Sequence, residues 1–126
     1  KVSPKTVGEV RREVLALDHH MCVATRLDAF AGPCYDAWGK PFSGYDPSGD
    51  RLEADRVTDE PMLGSDSEDD IPAHLDPTRQ VTLCASHHRG TGPTGGRQWA
   101  TANRQLLRDY LARRNVRHGL SGHADT

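Results

Sequence analysis

Apolar residues recur at helical spacing near both ends of the chain and alternate with polar ones in the middle. Val7, Val10, Val14 and Leu17 lie three or four apart, which predicts a helix ending near Asp18. Ser3-Pro4 and the Thr6-x-x-Glu9 capping box are start signals for it. Near the other end Leu106, Leu107, Tyr110 and Leu111 form a second stripe, with Thr101 as its expected cap. Arg104, Arg108, Arg113 and Arg114 cover much of the rest of that helix. Between the helices, His20 to Ala24 reads as a short strand or turn, and Gly32-Pro33-Cys34 breaks the chain. Arg51 to Val57 reads as a strand, with Leu52, Ala54 and Arg56 on one side and Glu53, Asp55 and Val57 on the other. Val81-Thr82-Leu83 predicts a second strand running into a turn at Cys84, followed by a Gly/Pro/Thr-rich linker from Gly90 to Gly96.

This order predicts an α+β protein: an N-terminal helix within 1–18, a core over 19–96 interrupted by an acidic loop at 58–76, an arginine-rich helix over 97–117, and a disordered tail at 118–126. No internal repeat is visible. At 126 residues, 35% hydrophobic and with a mean hydropathy of −0.71, the chain is expected to be one domain with a thin core. A structural metal would supplement such a core directly. No stretch approaches the ~18 apolar residues a membrane span needs, so a soluble protein with no membrane partner is expected.

Charge is segregated along the sequence. From Ser48 to Asp76 there are ten acids against Arg51 and Arg56; from Pro77 to Thr126 there are eight arginines against Asp109 and Asp125. The arginine-rich half suits phosphate contacts, with a solvated helix face as the plain alternative. The run Gly64 to Asp70 has no apolar residue and repels itself, which predicts a flexible loop, open to contact with a protein partner.

Val81-Thr82-Leu83-Cys84-Ala85-Ser86-His87-His88-Arg89 places one thiol and two imidazoles within five residues. Cysteine and histidine three apart can close on one ion at the start of a helical turn. With Cys22 and Cys34, Cys84 and His87 make a Cys₃His set, the count of a closed structural Zn²⁺ site. His88 replacing His87 in that set is the alternative register. Three cysteines leave one unpaired in any disulfide scheme, and no signal-peptide-like apolar run is seen, so a reducing, cytoplasmic setting is expected.

The strand Leu52-Glu53-Ala54-Asp55-Arg56-Val57, a variable loop, and then Val81-Thr82-Leu83-Cys84-x-x-His87-His88 together resemble an HNH endonuclease. That is the zinc-bound ββα-metal type, common among phages and restriction systems. The resemblance runs from about Cys22 to Arg89, and Trp99-Ala100-Thr101 before an Arg/Leu-rich helix is similar to small phage-type members. It implies a ββα-metal core with flanking helices, DNA as partner, and Asp55 and His88 holding a catalytic Mg²⁺ or Mn²⁺. Arg79, Arg89, Arg97, Arg104, Arg108, Arg113 and Arg114 are the candidate phosphate contacts.

Two of the three positions that name the family differ here. Arg56 stands where the family's first histidine acts as general base, and Arg79 where its asparagine falls. Arginine cannot take a proton near neutral pH. Arg56 could instead clamp a phosphate, while His74, His19 or His20 could supply the base. Asp55 also has a plainer reading as an acid paired with Arg56 or Arg79. Three classes follow: a metal-dependent DNA endonuclease, a zinc-stapled nucleic-acid-binding module without cleavage, and a protein-interaction module on the same fold.

Overall fold

The computed structural model describes residues 6–57, 72–90 and 99–120. Ser3-Pro4, Arg97, most of the expected acidic loop, most of the Gly90–Gly96 linker and the last six residues lie outside them. Within the described residues the protein is mixed α+β, with five α-helices and two small antiparallel sheets. None of these helices is long and apolar enough to cross a membrane.

Helix α1 (Val7–Leu17) starts at the expected capping box. Glu9 N donates to Thr6 Oγ1 at 3.1 Å, and Thr6 N donates to Glu9 Oε1 at 2.8 Å. It buries Val10, Val14 and Leu15 against the larger sheet, whereas Val7 remains exposed. His19 and His20 then take left-handed backbone angles (φ 59° and 57°), which turns the chain sharply back. Val23–Leu27 form a short helix, α2, where a short strand or turn was expected over His20 to Ala24, with Cys22 as its N-cap. The turn before Cys22 is closed by a bridge between Met21 and Tyr45.

Strands β1 (Cys34–Tyr35) and β2 (Pro41–Phe42) form a hairpin whose turn is held by Asp36, accepting from Trp38 N and Lys40 N at 2.9 Å each. Strands β3 (Leu52–Arg56) and β4 (Gln80–Cys84) pair antiparallel, with Leu52 opposite Cys84 and Arg56 opposite Gln80. All five β4 residues are buried, because α1 and α5 pack against this strand. The last residues of the expected acidic loop are ordered: two 3₁₀ turns (Ala73–Leu75 and Pro77–Arg79) enter β4, and Asp76 caps the second by accepting from Thr78 N at 3.0 Å.

Strand β4 passes directly into α3 (Ala85–Arg89), which ends at Gly90 in the left-handed conformation (φ 76°) that glycine adopts most easily. The C-terminal helix is divided. Thr101 lies inside α4 (Trp99–Ala102), not at a cap, and Asn103 separates it from α5 (Arg104–Arg117). His118 and Gly119 continue the closing turn through bonds to Arg114 O and Val116 O at 3.0 Å each, so the expected disordered tail is ordered at its start.

A buried ion pair joins the two end helices. Asp18 and Arg114 are both fully buried, with Arg114 Nη1 3.2 Å from each Asp18 oxygen. Asp18 also accepts from Thr82 N at 2.8 Å and from the Tyr110 hydroxyl. Arg114 donates to Gln80 O and Pro77 O, each at 2.8 Å. This corrects the reading of Arg114 as a phosphate contact, because its guanidinium is sequestered and its donors are spent inside the core.

Candidate metal centre and adjoining carboxylate cluster

Four short elements deliver one donor each to a single point. Cys22 caps α2, Cys34 opens β1, Cys84 ends β4, and His87 sits one turn into α3. All four are buried, and their ligand atoms lie within 4.8 Å of one another. His87 Nδ1 is 3.1 Å from Cys84 Sγ, 3.5 Å from Cys22 Sγ and 3.7 Å from Cys34 Sγ. Ligands of one tetrahedral Zn²⁺ stand about 3.6 Å apart for S···N and about 3.8 Å for S···S, given bonds of about 2.3 and 2.0–2.1 Å. The three cysteines are free thiols. The cluster can therefore hold a metal ion, with three sulfurs and one imidazole nitrogen as donors.

The surroundings are built for that arrangement. His87 Nε2 lies 2.9 Å from Ala31 O, so it donates its hydrogen there and leaves the Nδ1 lone pair facing the sulfurs. Gly44 accepts from Cys22 N at 2.8 Å, and a Cβ on Gly44 would stand 3.1 Å from Cys34 Sγ. Its φ of 95° also favours glycine. Trp99 of α4 meets the His87 ring edge-on at 5.9 Å, anchored by its indole N–H on Asp28 Oδ2 at 2.8 Å. Hydrogen bonds from Cys22 and Cys34 hold the Cys84 thiol far below its ordinary pKa, and contacts with Cys22 and Cys84, with burial, push Cys34 up. Burial opposes charge on His87, but hydrogen bonds to Cys22 and Cys84 raise it to about 10. So crowded a set of sulfurs attracts positive charge.

A second cluster lies on the other side of α3. His88 Nε2 is 3.0 Å from Asp55 Oδ1, and His88 Nδ1 is 2.6 Å from Glu53 Oε1. The two carboxylates alternate along β3, so both project from one face of the strand. Arg89 grips Glu53 with Nε at 3.0 Å and Nη2 at 2.6 Å. Arg104 of α5 reaches Asp55 Oδ2 at 3.4 Å and Arg56 O at 2.8 Å. Burial opposes charge on His88, yet hydrogen bonds to Asp55 and Glu53 raise it to about 9. Burial likewise works against Glu53, but His88 and Arg89 bring it down to about 2.

The expected site residues thus fall into two adjacent groups, and the choice between the histidines is settled by geometry: His87 faces the thiols and His88 the acids. Asp55 pairs with His88 and Arg104, not with Arg56 or Arg79 as its plainer reading expected. Arg56 is exposed at the end of β3, beside Asp55 in sequence. Arg79 is largely buried and paired with Asp76 at 3.3 Å, which commits its guanidinium within the fold. Arg89 and Arg104 flank the acidic cluster, while Arg108 and Arg113 are exposed on α5. Among the described residues, no side-chain hydrogen bond or ion pair links His19, His20 or His74 to Asp55 or His88. Glu53 was missed, although the two-residue alternation of β3 already placed it on the face of Asp55. Compared with protein-family models, curated proteins and solved structures, the chain gives no match.

Proposed function

We propose that this protein is a DNA endonuclease of the HNH type, with a Zn²⁺ staple at Cys22, Cys34, Cys84 and His87 and a catalytic Mg²⁺ or Mn²⁺ held by Asp55 and His88. The observation that carries the reading is the 3.0 Å separation of Asp55 Oδ1 and His88 Nε2 at the junction of β3, β4 and α3. Two ligands about 2.1 Å from one ion and at right angles to each other stand about 3.0 Å apart. Thiolate and imidazole donors in the buried set favour Zn²⁺ over hard cations, whereas the carboxylate and imidazole of the second set accept either Mg²⁺ or Mn²⁺.

When bound, the second ion supplies positive charge to the phosphate oxygens as negative charge builds on them. Asp55 and His88 hold their facing atoms for it, and the Arg104 contact to the other Asp55 oxygen keeps that carboxylate in place. Arg89 and Arg104 line the approach of a phosphate, and Arg108 and Arg113 extend the basic surface along α5. Arg56 stands where a general base would act and cannot take a proton from water. Slow cleavage follows, since a positioned base contributes ~10²–10⁴-fold.

The same arginine favours a second reading, a zinc-stapled DNA-binding module without cleavage. Incubating supercoiled plasmid with the protein and Mg²⁺ or Mn²⁺ separates the two. Nicking that disappears in Asp55→Ala and His88→Ala supports the endonuclease. Duplex binding with no nicking by the unaltered protein supports the binding module.

A further inference from the structure

Glu53 holds His88 and Arg89, two consecutive residues of α3, by contacts of 2.6 Å each. The imidazole lies between two carboxylates of one strand face, with Nδ1 on Glu53 and Nε2 on Asp55. For Nε2 to offer a lone pair to an ion beside Asp55, the ring hydrogen must sit on Nδ1, and Glu53 Oε1 is its acceptor there. The Arg89 fork adds two bonds to that carboxylate, at 3.0 and 2.6 Å, and orients it toward His88.

The protein uses the same device at its other cluster, with the ring turned over. His87 gives its Nε2 hydrogen to Ala31 O at 2.9 Å and presents Nδ1 to the sulfurs. A carboxylate in that role is a charge-assisted acceptor, which orients the ring more firmly than a backbone carbonyl and makes the opposite nitrogen a better donor to a metal. A purely structural role for Glu53 is poorly supported, because its partner Arg89 is nearly half exposed and exposed ion pairs add little to stability.

Resting on the endonuclease reading, we propose that Glu53 is a positioning residue: it holds the Nδ1 hydrogen of His88, so that Nε2, on giving up its own proton, binds a divalent cation together with Asp55. Glu53 touches neither that cation nor the phosphate.

The test is Mn²⁺ binding to the zinc-loaded full chain, read from the electron paramagnetic resonance of free Mn²⁺, with zinc content and melting temperature measured on the same samples. The unaltered protein should bind Mn²⁺ and Asp55→Ala should lose it. Glu53→Gln, which keeps the side-chain shape, should weaken binding about 10-fold and Glu53→Ala up to about 100-fold, as for other groups that orient a metal ligand. Zinc content should not change, and the loss of Mn²⁺ affinity should exceed what any fall in melting temperature accounts for. Wild-type affinity in both Glu53 variants, with loss in Asp55→Ala, overturns the role of Glu53 and leaves the cation site standing. Weakening that only parallels zinc loss or destabilisation also overturns it, since Glu53 would then be structural. Absence of Mn²⁺ binding by the unaltered protein overturns both the role and the site.

Discussion

His87 and His88 are neighbours on α3, yet they present opposite ring nitrogens to two separate clusters: His87 turns Nδ1 to three sulfurs, and His88 turns Nε2 to Asp55. Successive helical residues point about 100° apart, so one side chain enters the core while the other lies over the face of β3. On the proposed reading the pair divides stability from chemistry, because an ion held by the first would be part of the fold and an ion held by the second would not.

Substitution at the two positions should therefore give opposite results. His87→Ala or Cys84→Ser should lose the single equivalent of zinc and unfold, since a structural zinc site contributes about 10–16 kcal/mol, as much as the whole stability of a typical domain. His88→Ala should keep its zinc and its fold. Elemental analysis with circular dichroism checks both. Zinc retained in folded Cys84→Ser would contradict the ligand set.

The His88 cluster predicts a pH effect in zinc-loaded protein without added Mg²⁺ or Mn²⁺. Asp55 and Glu53 outweigh the desolvation of His88 and raise its pKa from 6.5 to about 9. A raised folded pKa contributes stability that is fully present below 6.5 and is lost as pH climbs through about 9. Glu53 has the opposite sign: lowered from 4.5 to about 2, it contributes stability that is present above 4.5 and lost as pH falls toward 2. Urea titrations should find the unaltered protein more stable than His88→Ala near neutrality, with the gap closing above about pH 9. A gap that widens with rising pH would show the sign to be wrong.

Breaking the Asp18–Arg114 pair should be severe. Arg114→Met leaves a buried carboxylate without its cation and should cost about 3–5 kcal/mol in chemical denaturation. The double change Asp18→Leu with Arg114→Met should recover much of that loss, since it removes the stranded charge. A loss below about 1 kcal/mol in the single variant would place Arg114 outside the core.

Arg114 also shows what the sequence could and could not reveal. Counted as a charge on a helix, it belonged with its neighbours Arg108 and Arg113. Counted by position, it falls seven residues beyond Leu107, four beyond Tyr110 and three beyond Leu111 along the buried stripe, and only the unrecognised acid at Asp18 explains why an arginine is tolerated there. The clustering of Cys22, Cys34, Cys84 and His87 was legible because soft donors are rare in this chain and their number suits one ion. Strands β3 and β4 were legible from their alternation and their turn. The helix after Cys22 was not, being only five residues long and carrying no periodic signal. Nor was the contact of Arg104 with Asp55, which links positions 49 residues apart and depends on how α5 packs.

DNA affinity should fall steeply with salt if Arg108 and Arg113 contact phosphates. Changing both to Gln should reduce the slope of log K against log salt by about two. Arg114→Met, if folded, should leave the slope unchanged. A slope equal to that of the unaltered protein in the Arg108/Arg113 variant would remove α5 from the DNA interface.

The central claim is that Asp55 and His88 form a cleavage site that lacks only its base. The rate of Mn²⁺-dependent nicking of supercoiled plasmid by Arg56→His tests it most directly. That variant should cut faster than the unaltered protein, with a gain toward ~10²-fold, and adding His88→Ala should abolish it. No gain in a folded, zinc-loaded and Mn²⁺-binding Arg56→His protein, or nicking that survives the loss of His88, would contradict the claim.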